Sequence, residues 1–150
     1  MIMTTTRSHR LSVLVLTCAA ALALASWASP SHAQTVAVMV NGEPITNYDI
    51  EQRSKLTFLT THKPASRQQV IDELIDEKVK IKEGKKFGVD PTASDIDQSY
   101  AAMSSRMRIT PEQLTKSLEA QGIRPDTLKA RIKAEMVWTS LVRGDRKSVV

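Results

Sequence analysis

The chain has 150 residues, 62 of them apolar, and a formal net charge of +5. That length accommodates one domain around one core and excludes two. The composition is uneven: residues 1–33 hold 19 of the apolar residues, two of the 21 basic ones, no acidic residue and the one cysteine, which leaves 117 residues at a net +3. That remainder carries no cysteine and a single histidine, His62, which excludes disulfides, thiol nucleophiles and His/Cys zinc clusters there and argues against a catalytic triad.

Taken in chain order, Arg7 and Arg10 precede a 15-residue uncharged stretch of Leu, Val, Ala and small residues, followed by Ser31-His32-Ala33. A basic start, an apolar middle and small residues at the −3 and −1 positions are expected of a secretory signal peptide cleaved after Ala33. The stretch falls short of the roughly 20 residues that span a bilayer. Thr17 is a poor residue ahead of a lipidated cysteine, and cleavage at Cys18 would cut the apolar middle in half. The chain is therefore expected to divide into a leader over residues 1–33, one domain over 34–147 and a short tail over 148–150, with the processed protein exported.

Val36-Ala37-Val38-Met39-Val40 is an apolar, β-branched run that stops at Asn41-Gly42, the strongest two-residue hairpin signal, and Glu43-Pro44-Ile45 supplies a return strand. Pro44 has no N–H to donate and must lie at an edge. A hairpin this small needs a helical body to cover it.

Four or five helices with readable caps follow. Thr46 with Asp49 opens the first, to about residue 59; Ser66 with Gln69 opens the second, to Phe87, with Gly88 as the residue past its end. The second helix has an apolar face of Val70, Ile71, Leu74, Ile75 and Val79, with acids in its first half, lysines in its second, and an Asp76–Lys80 pair at i,i+4. Thr92 with Asp95 caps a third helix with the stripe Ile96, Tyr100, Met103 and Met107. Thr110-Pro111-Glu112-Gln113 opens a short fourth that ends at Gly122, where Ile123 sits at the apolar position of a Schellman motif. Pro125-Asp126 begins a fifth to about residue 143. Its apolar residues, among them Leu128, Ile132, Met136, Val137, Trp138 and Leu141, cover a face too wide for a single partner.

Val40-Asn41-Gly42-Glu43-Pro44-Ile45-Thr46 with Asp49-Ile50 resembles the opening motif of the SurA-type periplasmic chaperones and their parvulin-isomerase relatives. The similarity continues through Leu74-Ile75-Asp76-Glu77-Lys78-Val79-Lys80, Gly88-Val89, residues 92–97, Gly122-Ile123 and the fifth helix, and so covers about residues 36–147. It implies a mainly α fold with a small N-terminal β-hairpin. It also implies an ATP-independent chaperone role: binding unfolded outer-membrane or envelope polypeptides in the periplasm. The parvulin catalytic domain of that family has no counterpart in these residues, so isomerase activity does not carry over and no cofactor is implied.

Such binding needs an exposed apolar groove, where flexible methionines adapt to varied partners. Met103, Met107, Met136, Trp138 and Leu141 are the candidates; if the family's returning C-terminal helix is absent, the face it covers is expected to be exposed, paired with another chain or filled by a client. Two alternatives stay open: an N-terminal piece of a longer parvulin-type prolyl isomerase, and an interaction domain that forms homodimers through the uncovered helix face. The lysines of residues 78–86 and Arg143, Arg146 and Lys147 are interleaved with acids and read as solvated surface rather than as a nucleic-acid site. Asp76-Glu77 and Asp95/Asp97 read as helix-start and surface charges, since neighbours on one helix do not make a catalytic dyad. His62 reads as a solvated loop residue.

Overall fold

The structure is a computed structural model that describes residues 35–148, so the expected leader over residues 1–33 lies outside the described residues, as do residue 34 and the last two positions of the expected tail. Strands β1 (Val36–Val40) and β2 (Glu43–Thr46) pair antiparallel, and five helices follow among the described residues: α1 (Asn47–Thr61), α2 (Arg67–Lys86), α3 (Ala93–Arg106), α4 (Pro111–Ala120) and α5 (Pro125–Ser148). The fold is mainly α with a small N-terminal hairpin.

The turn works as its two residues dictate. Asn41 and Gly42 both have positive φ, 53° and 87°, the backbone that suits the twist of the flanking strands. Val40 pairs with Glu43 and Met39 with Pro44, and the register shifts once, between Val36 and Val38. Val40 and Ile45 are turned under the hairpin and buried, whereas Met39 is 59% exposed.

Each of the first four helices opens on a complete capping box. Thr46, Ser66, Thr92 and Thr110 accept from the backbone N–H three residues on, and the side chain at that position accepts from the cap's own N–H in return. The ends are equally local. Val89 N donates to Gly84 O at 2.8 Å and Ile123 N to Leu118 O at 3.0 Å, each around a positive-φ glycine, Gly88 and Gly122. The same pattern closes α3 without glycine: Ile109 N donates to Ser104 O at 3.1 Å around Arg108, whose φ is 60°. His62 is exposed as expected, and it also takes the left-handed conformation that ends α1.

Three expectations need correction. Helix α5 runs on to Ser148 rather than ending near residue 143. Val79 is 38% exposed, because the buried line of α2 follows the helical period through Val70, Leu74, Glu77 and Gly84 instead. Glu77, read as a surface charge, is buried, and it accepts from the buried Arg53 guanidinium, with Glu73 3.9 Å away on the other side of that group.

Two apolar clusters make up the interior. The hairpin core joins Val40, Ile45, Ile50, Val70 and Leu74; the helical core joins Leu56, Tyr100, Leu114, Leu118, Ile123, Leu128 and Ile132. Helix α1 contributes to both, and α5 packs against all four other helices, which accounts for the width of its apolar face. At the α2–α5 crossing a Cβ on Gly84 would lie 2.2 Å from Val137 Cγ1. Only glycine allows the two helices this close.

Candidate functional site

One groove of about 900 Å³ opens between α3, α5 and the end of α1. Its apolar lining is Met103, Leu128, Ile132 and Met136; its charged lining is Arg106, Arg131 and Arg143 with one carboxylate, Glu135. Thr60, Ser99, Thr139 and Ser140 complete the lining. Leu128 and Ile132 are buried members of the helical core, so the groove reaches that core directly, whereas Met103 and Met136 are only partly buried and pack against it.

This geometry follows from the residue spacing on α5. Positions 128, 132, 136, 139, 140 and 143 recur at three- and four-residue intervals and so share one face of the helix. The first three are apolar and the last three polar, so the groove grades from apolar to polar along its own axis. The wall formed by α3 is fixed at the start of α5 by Lys129 Nζ, 2.8 Å from Asp97 Oδ1 and 5.4 Å from the centroid of the Tyr100 ring. The Asp97 hydrogen bond, reinforced by its charge, raises the Lys129 pKa despite the opposing effect of burial. Ser99 Oγ donates to Met136 Sδ at 3.4 Å, a weak bond that sets the thioether at the groove wall.

A second set of contacts ties α5 to the preceding elements. Lys133 Nζ lies 2.7 Å from Asp90 Oδ1 in the turn after α2, and the hydrogen bond from Lys133 holds the Asp90 carboxyl below its ordinary value. Gln52, buried on α1, donates from Nε2 to Gly122 O at 3.0 Å and accepts at Oε1 from Arg124 N at 2.7 Å. It thereby clamps the α4–α5 connection onto α1. Neither Gln52 nor the Arg53–Glu77 pair carries a signal in the sequence, since each partner is more than twenty residues away.

The five candidate residues are not gathered into one surface. Met103 and Met136 face each other across the groove. Met107 is the residue that ends α3, 56% exposed and outside the groove lining. Trp138 is 48% exposed on another side of α5, with Lys80 Nζ 5.3 Å from its ring centroid. Leu141, partly buried, does not line the groove either. A stripe of apolar residues on one helix thus divides between two faces, because α5 is sandwiched between α2 and α3. The groove lining also includes Arg106 and Arg131, which no sequence pattern singles out, and Arg143, which is exposed as expected of a solvated surface.

The family model for the SurA-like N-terminal domain matches residues 1–142. The chain belongs to the SurA-like N-terminal domain family. Among curated relatives it is similar to the chaperone SurA of Yersinia pestis, 25% identical over 128 residues, and to that of Salmonella typhimurium, 25% identical over 126. Those matches cover 80% and 79% of this chain but 29% of each relative, so the chain spans under a third of the length of the SurA proteins it matches. Among solved structures it is similar to one from a study of the virulence factor PEB4 and the periplasmic protein Cj1289, SurA-like chaperones of Campylobacter jejuni. That match has 23% identity and a TM-score of 0.43, and covers 73% of this chain and 41% of that one. Among the described residues of this SurA-like domain, no helix is long and apolar enough to cross a membrane.

Proposed function

We propose that this SurA-like domain is an ATP-independent chaperone module of the periplasm, reached through cleavage of the leader after Ala33, which holds unfolded outer-membrane or other envelope polypeptides. The observation that carries this reading is the groove between α3 and α5, where Met103 and Met136 stand over Leu128 and Ile132. Apolar area removed from water on binding supplies the affinity at roughly 25 cal/mol per Å², less the cost of ordering the client. Methionine suits such a contact because an unbranched thioether repacks against different side chains. Family membership and the similarity to the SurA chaperones support the same reading. Principal contact is placed on Met103 and Met136; Met107, Trp138 and Leu141 lie outside the groove and are secondary.

The test is light scattering from a urea-diluted outer-membrane β-barrel protein. The purified, folded chain is expected to suppress aggregation at near-stoichiometric ratio, and Met136→Glu to lose most of that effect while retaining its helical circular dichroism. Absence of suppression by the folded wild-type chain over a broad concentration range overturns the proposal.

A further inference from the structure

Three arginines, Arg106 at the end of α3 and Arg131 and Arg143 on α5, stand around the groove, with Glu135 as its one lining carboxylate among the described residues. All three are exposed, and none makes an ion pair among the described residues. Elsewhere on the same helix Lys129 pairs with Asp97 and Lys133 with Asp90. Arg131 also borders a smaller acidic pocket with Glu73, Asp76, Glu77 and Glu135 and pairs with none of them, so its guanidinium is free to turn to the groove, whereas Arg106 and Arg143 border the groove alone. An apolar floor beside unpaired guanidinium groups favours an occupant with carboxylates beside its apolar side chains, because a planar fork binds a carboxylate through two parallel hydrogen bonds.

The spacing sets a length. Arg131 and Arg143 are twelve residues apart on one helix, about 18 Å at 1.5 Å per residue. An extended chain covers that distance in about five to six residues.

Resting on the chaperone reading above, we infer that the α3–α5 groove selects extended client segments in which a short apolar stretch is flanked on both sides by acidic residues. Apolar burial holds such a segment, and the arginines choose it over neutral or basic segments and speed its capture.

The test is isothermal titration calorimetry of the purified chain with the unlabelled peptide Glu-Leu-Ser-Phe-Ser-Leu-Glu, and with versions carrying Gln or Lys in place of both Glu. The acidic peptide is expected to bind about tenfold more tightly than the Gln peptide, and the difference to shrink as salt is raised. Arg131→Gln and Arg143→Gln, both at exposed positions, are each expected to reduce the preference for the acidic over the Gln peptide about threefold. Equal binding of the acidic and Gln peptides overturns the inference, as does tighter binding of the Lys peptide, or binding to phosphatidylglycerol vesicles without any preference among peptides. In each of those cases aggregation suppression still tests the chaperone reading separately. If no peptide binds while suppression persists, the charge selection falls and the chaperone reading stands; if both are absent, both fall.

Discussion

The hairpin core and the helical core share helix α1, yet they are closed in different ways. Over Val70 and Leu74 of α2 and Ile50 of α1 lie Val40 and Ile45, so the hairpin core is finished by strands whose outer face carries the exposed Met39. The helical core is finished on one side by α4 and Ile123, and on the other it ends in partly buried methionines that line a groove. The hairpin seals its own core from the solvent and leaves only the single large apolar side chains Val36 and Met39 exposed on its strands. A core that ends in Met103 and Met136 has an apolar surface to offer, and its adaptable side chains suit varied partners better than a rigid, well-filled one does.

The junction between the cores is the place to break this comparison most severely. Arg53 is 3% exposed, its Nε has no partner among the described residues, and Glu77 is its principal counter-charge. Removing one member of a buried pair leaves the other uncompensated, so Glu77→Ala is expected to cost about 3 kcal/mol in urea unfolding at neutral pH. Arg53→Met with Glu77→Leu together should recover most of that loss. A cost under about 1 kcal/mol for the single change would mean that Glu73 already carries the charge.

A smaller effect sharpens the packing of α2 on α5. Gly84→Ala puts a methyl 2.2 Å from Val137 Cγ1 and 2.8 Å from Val89 O. The expected loss is about 2 kcal/mol in spite of alanine's better helix propensity. Val137→Ala in the same chain relieves the side-chain clash, so a double-mutant cycle should read a favourable coupling. Additive losses would place the close approach elsewhere.

The smallest effect concerns how the hairpin is fastened. Lys78 Nζ lies 3.0 Å from Glu43 Oε2, and its hydrogen bond and charge hold the Glu43 carboxyl below the ordinary 4.5. A depressed carboxylate stabilises the folded state fully above its unfolded value, and that contribution is lost as the pH falls through the lower folded value. Both groups reach water, so the loss on Glu43→Gln at pH 7 is expected to be only about a few tenths of a kcal/mol. It should fade as the pH falls far enough to protonate the folded carboxyl. A constant difference from pH 7 to pH 2.5 would point to packing rather than charge.

Much of the fold was legible because its signals are local. A capping box needs two residues three apart, an Asn-Gly turn needs two adjacent, and a Schellman end needs a glycine with an apolar neighbour. Thr46, Ser66, Thr92, Thr110, Gly88 and Gly122 all met those terms and all behave accordingly. Illegible features depend on which distant residues meet. The burial of Arg53, the Gln52 clamp and the closeness of Gly84 to Val137 are set by how the helices cross, which periodicity does not specify. Arg108 shows a local limit as well, since it fills a left-handed position where glycine or asparagine was the residue to look for. For the site, Met103 and Met136 were legible as apolar residues of two helices, but the facing of those helices was not. The division of α5 into a groove face and a Trp138 face was not, since its apolar residues wrap too far round for sequence alone to assign each to α2 or α3.

The most direct measurement of the central claim is photo-crosslinking to an unfolded outer-membrane β-barrel protein from two exposed positions: Ser140, which lines the groove, and Met39, on the outer face of the hairpin. A photoreactive residue at 140 is expected to capture the client and one at 39 to capture none. Equal capture from both sites, or capture from 39 alone, would contradict a groove at the open end of the helical core.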